Sequence, residues 1–279
     1  MQPLDVAYIV FTDLDGTLLD HHTYSWQAAR PGLQIVRKKR IPLIFSTSKT
    51  LAEVRELQRE MEIRHPVIFE NGSGIAVPEG YFRGLPLDHQ WDAFRVRLLG
   101  PDYETIVNTL NVLRRENGYR FRGFSDCSDE EVARLTGLPV EKARLARQRW
   151  SSEPILWEDD ARKRLQFEKQ LAGQGLRLVR GGRFWHVLGE MAGKGKAALL
   201  LKSAYQREWP HRNWRTMGIG DSPNDLDLLQ VVDVPILVQR PDGQYIPVPD
   251  SLAVVRAPGI GPEGWSWAMV HFLGSEESH

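Results

Sequence analysis

The hydrophobic pattern changes its period along the chain. Near the start, an apolar run at residues 6–12 (VAYIVFT) stops abruptly at two acids, Asp13 and Asp15. A short continuous run of this kind reads as a strand buried on both faces, as in a parallel sheet. Residues 27–39 follow with helical spacing, and then a second run at 41–46 (IPLIFS). Next comes TLAEVRELQREMEI, in which Leu51, Val54, Leu57 and Met61 recur at helical intervals, with Ser48 or Thr50 able to cap it. A third run at 66–70 (PVIFE) ends in NGSG. Strands alternating with helices of this length predict βαβ units and a parallel sheet.

From about residue 84 to 189 the pattern differs: charged amphipathic helices and a few short strands. Ser128 with Glu131 forms a capping-box pattern, Leu165, Phe167 and Leu171 mark another helix, and two short strands flank Gly181-Gly182. The last third returns to the first pattern. A helix at 196–208 precedes WRTMGIGD, an apolar strand that again ends in an acid, followed by a helix at 224–230, a strand at 234–238 and a closing helix at 262–273. The predicted fold class is α/β: a parallel-sheet core of residues 1–83 and 190–279, split by an α+β domain at 84–189.

Composition narrows the partners. Thirty-six basic and 36 acidic residues balance over 279, so no global field draws nucleic acid or an anionic membrane. No window approaches the roughly 20 apolar residues that span a bilayer. The N-terminal region lacks a basic segment and a long apolar run, so a secretory signal is not expected. Cys127 is the only cysteine, which excludes an intramolecular disulfide and fits a cytoplasmic setting.

The chemistry sits where strands end. Ligands of an open parallel sheet bind outside the carboxyl ends of its strands, and there the sequence places Asp13 and Asp15, then Thr47, then Asp221 and Asp225. Converging carboxylates repel: two at ~4 Å cost about 4 kcal/mol at an effective dielectric of 20. A hard divalent cation with oxygen ligands relieves this, and Mg²⁺ suits carboxylates plus a phosphate. Residues i and i+2 of an extended segment share a side. Asp13 and Asp15 can therefore address one substrate atom, one as nucleophile and the other as proton donor and acceptor; the alternative is that they are turn or N-cap acids, as most Asp-Gly pairs are.

TDLDGTL, STSKT, GKGKAALL and GDSPNDLDLL resemble, in order, the four motifs of haloacid-dehalogenase-type phosphatases, along the whole chain and with the insertion in the matching place. The resemblance implies a Rossmann-like core with a C2B-type cap, and a Mg²⁺-dependent reaction. It implies Asp13 as nucleophile and Asp15 as general acid/base. It further implies a metal held by Asp13, the Asp15 carbonyl and Asp221, with Asp225 supporting through water and Asn224 beside it. Thr47 would hold the phosphoryl group and Lys194 would neutralise charge, as an electrostatically limited transfer requires. Ser46 stays open as the alternative hydroxyl. Lys196 is read as a solvated helix residue, and Asp227 as a surface or helix residue.

Three further features, STSKT, FENGSGI and RGGRFWHVLG, resemble the mannosyl-3-phosphoglycerate phosphatases. The implied partner is a small phosphorylated sugar-glycerate bearing a phosphate, a carboxylate and a neutral sugar. Arg183 suits an anion through its planar fork, and Asn71, Gly72, His186 and the amides of Gly181 and Gly182 are candidate contacts. Gly181-Gly182 also reads as a plain hairpin turn, and Trp209 and Trp214 as packing residues. The alternatives are a phosphatase of another phosphosugar (glucosyl-3-phosphoglycerate, sucrose-6-phosphate or trehalose-6-phosphate), a phosphomutase, or a non-enzymatic phospho-receiver. A receiver's acceptor acid follows a later strand and has no insertion of about a hundred residues.

Overall fold

Residues 6–12 form the strand that their apolar run predicts, and Ile9, Val10 and Phe11 have no solvent exposure. In the computed structural model, which describes residues 6–274, Val6–Thr12 lies between two parallel neighbours, Asn213–Gly220 and Leu43–Ser46. Val234–Gln239 and then Val255–Ile260 continue the parallel ladder beyond Asn213–Gly220. The register pairs Phe11 with Gly218 and Thr12 with Ile219, so the two central strands end side by side. Burial on both faces explains the unbroken Val/Ile/Leu runs.

These strands belong to one of two compact units. It contains the described residues up to Thr47, Pro78–Pro86, and those from Lys194 onward. Its helices are Arg30–Lys38, Lys194–Glu208, the short Leu226–Leu229 and Pro262–Leu273. Tyr81, Phe82, Tyr205, Trp209 and Trp214 form an aromatic cluster, with the Tyr81 and Tyr205 hydroxyls 2.8 Å apart. Trp209 and Trp214 are thus packing residues, as expected.

The second unit takes Ser48–Val77 and Leu87–Gly193. Residues 48–77, read from sequence with the core, therefore group with the insertion. Thr50 caps Leu51–Glu60 in a reciprocal capping box with Glu53. Val67–Phe69 pairs antiparallel with Gly74–Pro78, a strand that the sequence reading did not include. The residues between, Glu70, Asn71 and Gly72, all have positive φ, and that tight left-handed turn reverses the chain.

Phe121–Gly123, Ser152–Trp157, Trp185–Gly189 and Leu176–Arg180 make an antiparallel sheet in that order. Tyr103–Asn117 and Ala161–Gly173 cover it, burying Ile106, Leu110, Phe167 and Leu171 against Phe121, Ile155 and Val187. The helices Asp129–Thr136 and Val140–Ala146 close a smaller core around Phe124, Cys127 and Val132. Ser128 caps the first with Glu131, as its spacing predicts.

Candidate active site

Three loops of the parallel-strand unit bring charge together. Asp13 follows Val6–Thr12, and its N–H donates to the Ile219 carbonyl (2.9 Å), which seats it beside the end of the neighbouring strand. Asp221 follows Asn213–Gly220 and Asp225 ends a 3₁₀ turn, Pro223–Asp225. Lys194 opens the helix Lys194–Glu208, two residues earlier than the sequence suggests. All four side chains are buried.

The Lys194 ammonium sits between two acids, donating to Asp13 Oδ1 at 2.7 Å and to Asp225 Oδ1 at 2.6 Å. Asp225 Oδ2 accepts from the N–H groups of Asp221 (3.2 Å) and Ser222 (3.1 Å). Thr17, which the sequence reading passed over, donates its hydroxyl to Asp221 Oδ1 at 2.9 Å. Gly16 has φ +80°, and a Cβ there would stand 2.9 Å from Asp221 Oδ2. The glycine of DLDGT thus turns the loop and leaves room for the third carboxylate.

Burial sets the electrostatics. It raises the Asp13 carboxyl well above the usual range, Lys194 opposes that rise, and Asp225 and Asp221 add to it. Asp221 is raised to about 7 by burial and by Asp225, with Thr17 opposing. Burial works against the Lys194 ammonium, yet Asp13 and Asp225 outweigh it and its pKa rises. Lys194 therefore stays charged.

Asp13, Asp221 and Asp225 each offer an oxygen within 4.8 Å of the others. Three carboxyl groups share one buried ammonium, burial and their mutual repulsion raise Asp13 and Asp221, and the donors are all hard oxygens. That donor set fits a divalent cation of the Mg²⁺ kind. Asp15, half-buried in the same loop, lies outside this triad of side chains; its expected ligand atom is the backbone carbonyl.

The other candidates are placed as follows. Ser46 and Thr47 are both buried at the end of Leu43–Ser46, and Ser46 Oγ makes no hydrogen bond. Asn224 accepts a hydrogen bond from the Ser222 hydroxyl. Lys196 is exposed, while Asp227 accepts from the Gly195 N–H (3.2 Å), steadying the start of the Lys194 helix. In the inserted unit Asn71 is buried at φ 56°, followed by Gly72 at 82°. Gly181 N–H donates to the Phe184 carbonyl (3.0 Å), the plain hairpin turn that the sequence left open. A Cβ on Gly181 would stand 2.8 Å from Nε2 of His186, which is buried. Gly182 has open space around it, and Arg183 is exposed and donates to the Leu135 carbonyl.

A family model described as haloacid dehalogenase-like hydrolase matches residues 10–89, the stretch that carries Asp13, Asp15 and Thr47. A glucosyl-3-phosphoglycerate/mannosyl-3-phosphoglycerate phosphatase of Methanococcoides burtonii is 40% identical over 274 residues, 98% of this chain and 100% of that protein. The chain belongs to the haloacid dehalogenase-like hydrolases. A second relative of this hydrolase, from Persephonella marina and of the same name, is 36% identical over 96% of this chain and 98% of its own length. On this kinship the hydrolase is one of phosphoric monoesters. A solved structure, Thermoplasma acidophilum 0175, overlays with a TM-score of 0.67 at 17% identity, covering 96% of this chain and 99% of that one. That likeness carries the fold: a Rossmann-like α/β core with an inserted α+β cap.

Proposed function

We propose that this hydrolase cleaves mannosyl-3-phosphoglycerate to mannosylglycerate and phosphate through an aspartyl-phosphate on Asp13, with Mg²⁺ and in the cytoplasm. The observation that carries the reading is the buried Lys194 ammonium bridging Asp13 and Asp225, with Asp221 within reach. The names of the two curated relatives supply the substrate class. Asp13 Oδ attacks phosphorus while the bond from phosphorus to the 3-oxygen of glycerate breaks. Asp15 gives that oxygen its proton. The Asp15 carboxylate then takes a proton from water, whose oxygen displaces Asp13 and frees phosphate.

Lys194 opposes the burial that raises the Asp13 carboxyl and balances charge on the transferring group. Asp13, Asp221, Asp225 and the Asp15 carbonyl would hold Mg²⁺, which when bound supplies positive charge for the phosphoryl oxygens. Ser46 or Thr47 donates to the same group, with Asn224 alongside. The cap, residues 84–189, selects the substrate, and the catalytic core is residues 1–83 and 190–279. Arg183 spends a donor on Leu135 and keeps others for a carboxylate, while Asn71, Gly72, His186 and the Gly182 amide complete the contacts to the sugar-glycerate, the Gly181 amide being taken by Phe184. The relatives' double name favours a second reading, in which the glucosyl compound is also turned over.

The test is phosphate release with Mg²⁺ from the mannosyl and glucosyl compounds, beside sucrose-6-phosphate and trehalose-6-phosphate, with Asp13→Asn as control. Preference for a glycosyl-3-phosphoglycerate, absent from the control, supports the assignment. Faster release from another ester, also absent from the control, keeps the chemistry and removes the substrate.

A further inference from the structure

Glu70 has no solvent exposure and a φ of +50°. Both are costly for a glutamate: the first buries a charge, the second is a conformation that side chains resist. The adjoining Asn71 and Gly72 are also left-handed, at 56° and 82°.

The carboxylate holds the turn. Oε1 accepts from the Trp150 N–H at 2.8 Å, and Oε2 accepts from the Ser151 N–H at 3.1 Å and the Ser152 hydroxyl at 2.8 Å. Arg149 Nε stands 3.7 Å from Oε2, and the same guanidinium donates to the Ser48 carbonyl at 3.1 Å. A buried charge with this many partners is expensive to disturb, because removing it strands each donor.

The backbone of the turn reaches two other segments. Glu70 N–H donates to the Lys49 carbonyl at 2.9 Å, and the Gly72 carbonyl accepts from the Gly193 N–H at 3.3 Å. Lys49 comes two residues after Thr47, and Gly193 comes immediately before Lys194. The same cluster holds the chain where it enters and leaves the antiparallel sheet. Leu99 N–H donates to the Ser73 carbonyl (2.7 Å), Ser151 Oγ donates to the Pro101 carbonyl (2.6 Å), and a Cβ on Gly189 would stand 2.8 Å from Gly100 Cα.

We propose that Glu70 is a positioning residue for phosphoryl transfer. Its carboxylate fixes the left-handed turn to Trp150–Ser152, and the backbone of the turn fixes the segments that lead into Thr47 and Lys194. Glu70 touches no reacting atom. It acts through Lys49 and Gly193, and it also sets the conformation of Asn71. A displacement of about 1 Å at groups that hold a transferring phosphoryl costs on the order of a hundredfold in rate.

The test uses the full chain with Mg²⁺ and two esters, p-nitrophenyl phosphate and mannosyl-3-phosphoglycerate. Because the small ester makes few contacts, loss on it reports the phosphoryl site and not sugar recognition. Glu70→Ala is expected to lower kcat about a hundredfold on both esters with KM changed less than about threefold. Glu70→Gln, whose carbonyl still accepts from Ser151 and Ser152, should recover about a tenfold part of that loss, and Ser152→Ala should cost about threefold. Melting temperatures are read alongside. A lowered melting temperature with wild-type kcat in the folded Glu70→Ala enzyme overturns the proposal. If Glu70→Ala does not fold, wild-type kcat in both Glu70→Gln and Ser152→Ala overturns it equally. Activity on p-nitrophenyl phosphate alone would sink the substrate reading and leave the role of Glu70 measurable.

Discussion

Each unit of this hydrolase buries acids, and the two sets are satisfied in opposite ways. In the parallel-strand unit, Asp13, Asp221 and Asp225 face one another across a single ammonium, and burial drives Asp13 and Asp221 towards protonation. In the inserted unit, Glu70 and Glu153 are equally buried but face donors. Glu70 has two N–H groups and a hydroxyl, and Glu153 has the Ser125 N–H (2.8 Å), the Ser125 hydroxyl (2.7 Å) and the Tyr103 hydroxyl (2.8 Å). A saturated acid is architecture. A cluster with surplus charge waits for a cation or a substrate, and the surplus distinguishes the active site from an ordinary buried network.

The largest test of that contrast is Asp13→Asn. It removes the nucleophile and one of the surplus charges, so kcat should fall by about four orders of magnitude or more, while Mg²⁺ binding measured by calorimetry weakens. Loss of activity with unchanged metal binding would detach Asp13 from the metal site.

Lys194→Met comes next. It strands Asp13 and Asp225 without their counter-charge, and breaking a buried pair costs about 3–5 kcal/mol. Urea denaturation should show that loss, and added Mg²⁺ should restore part of it, since a ligand that binds only the folded state stabilises it. If Lys194→Met is as stable as the parent without metal, the acids are not held ionised by the lysine.

Disturbing Glu153, which unlike Glu70 has no tie among the described residues to the segments leading into Thr47 and Lys194, should leave chemistry alone. A Cβ on Gly123 would stand 2.3 Å from Glu153 Oε1, so Gly123→Ala overpacks a saturated acid and should cost about 1–3 kcal/mol. Per folded molecule, kcat on p-nitrophenyl phosphate should match the parent. A matching fall in kcat would erase the distinction between Glu153 and the active-site acids.

The acids that chemistry gathers were legible in the sequence because their motifs are local. DLDGT and GDSPNDLD each put acids just beyond an apolar run, and the run itself announces the strand end. Thr17 was not legible, since its partner Asp221 lies 204 residues away and a threonine after Asp-Gly reads as a turn residue. Glu70 was hidden in the same way: a lone acid closing PVIFE gives no sign that it meets Trp150–Ser152. The antiparallel return of Gly74–Pro78 follows from left-handed φ at Glu70 and Asn71, which residue type alone does not announce. Val255–Ile260 was missed as a strand because Pro258 and Gly259 interrupt its apolar pattern, which an edge position tolerates. Arg183 illustrates the limit for cap contacts, since sequence offers its charge and the fold shows a donor given to Leu135.

The smallest effect separates saturation from neutrality. Burial raises the Glu153 carboxyl above its ordinary value, and the Ser125 N–H, the Ser125 and Tyr103 hydroxyls and Arg149 only partly oppose it. For an acid raised on folding, stability is full below the unfolded pKa, near 4.5, and falls as pH rises through the folded value. Glu153→Gln removes that slope. Its carbonyl accepts from Ser125, and its amide can donate to a Tyr103 hydroxyl that turns to accept. Urea midpoints should therefore coincide for parent and variant near pH 4.5 and separate above it, the variant being the more stable. If the curves stay parallel from pH 4.5 to 8, the donors around Glu153 compensate its burial in full. The contrast with Asp13 and Asp221 would then be sharper, since all the uncompensated charge of these two acid sets would lie at the active site.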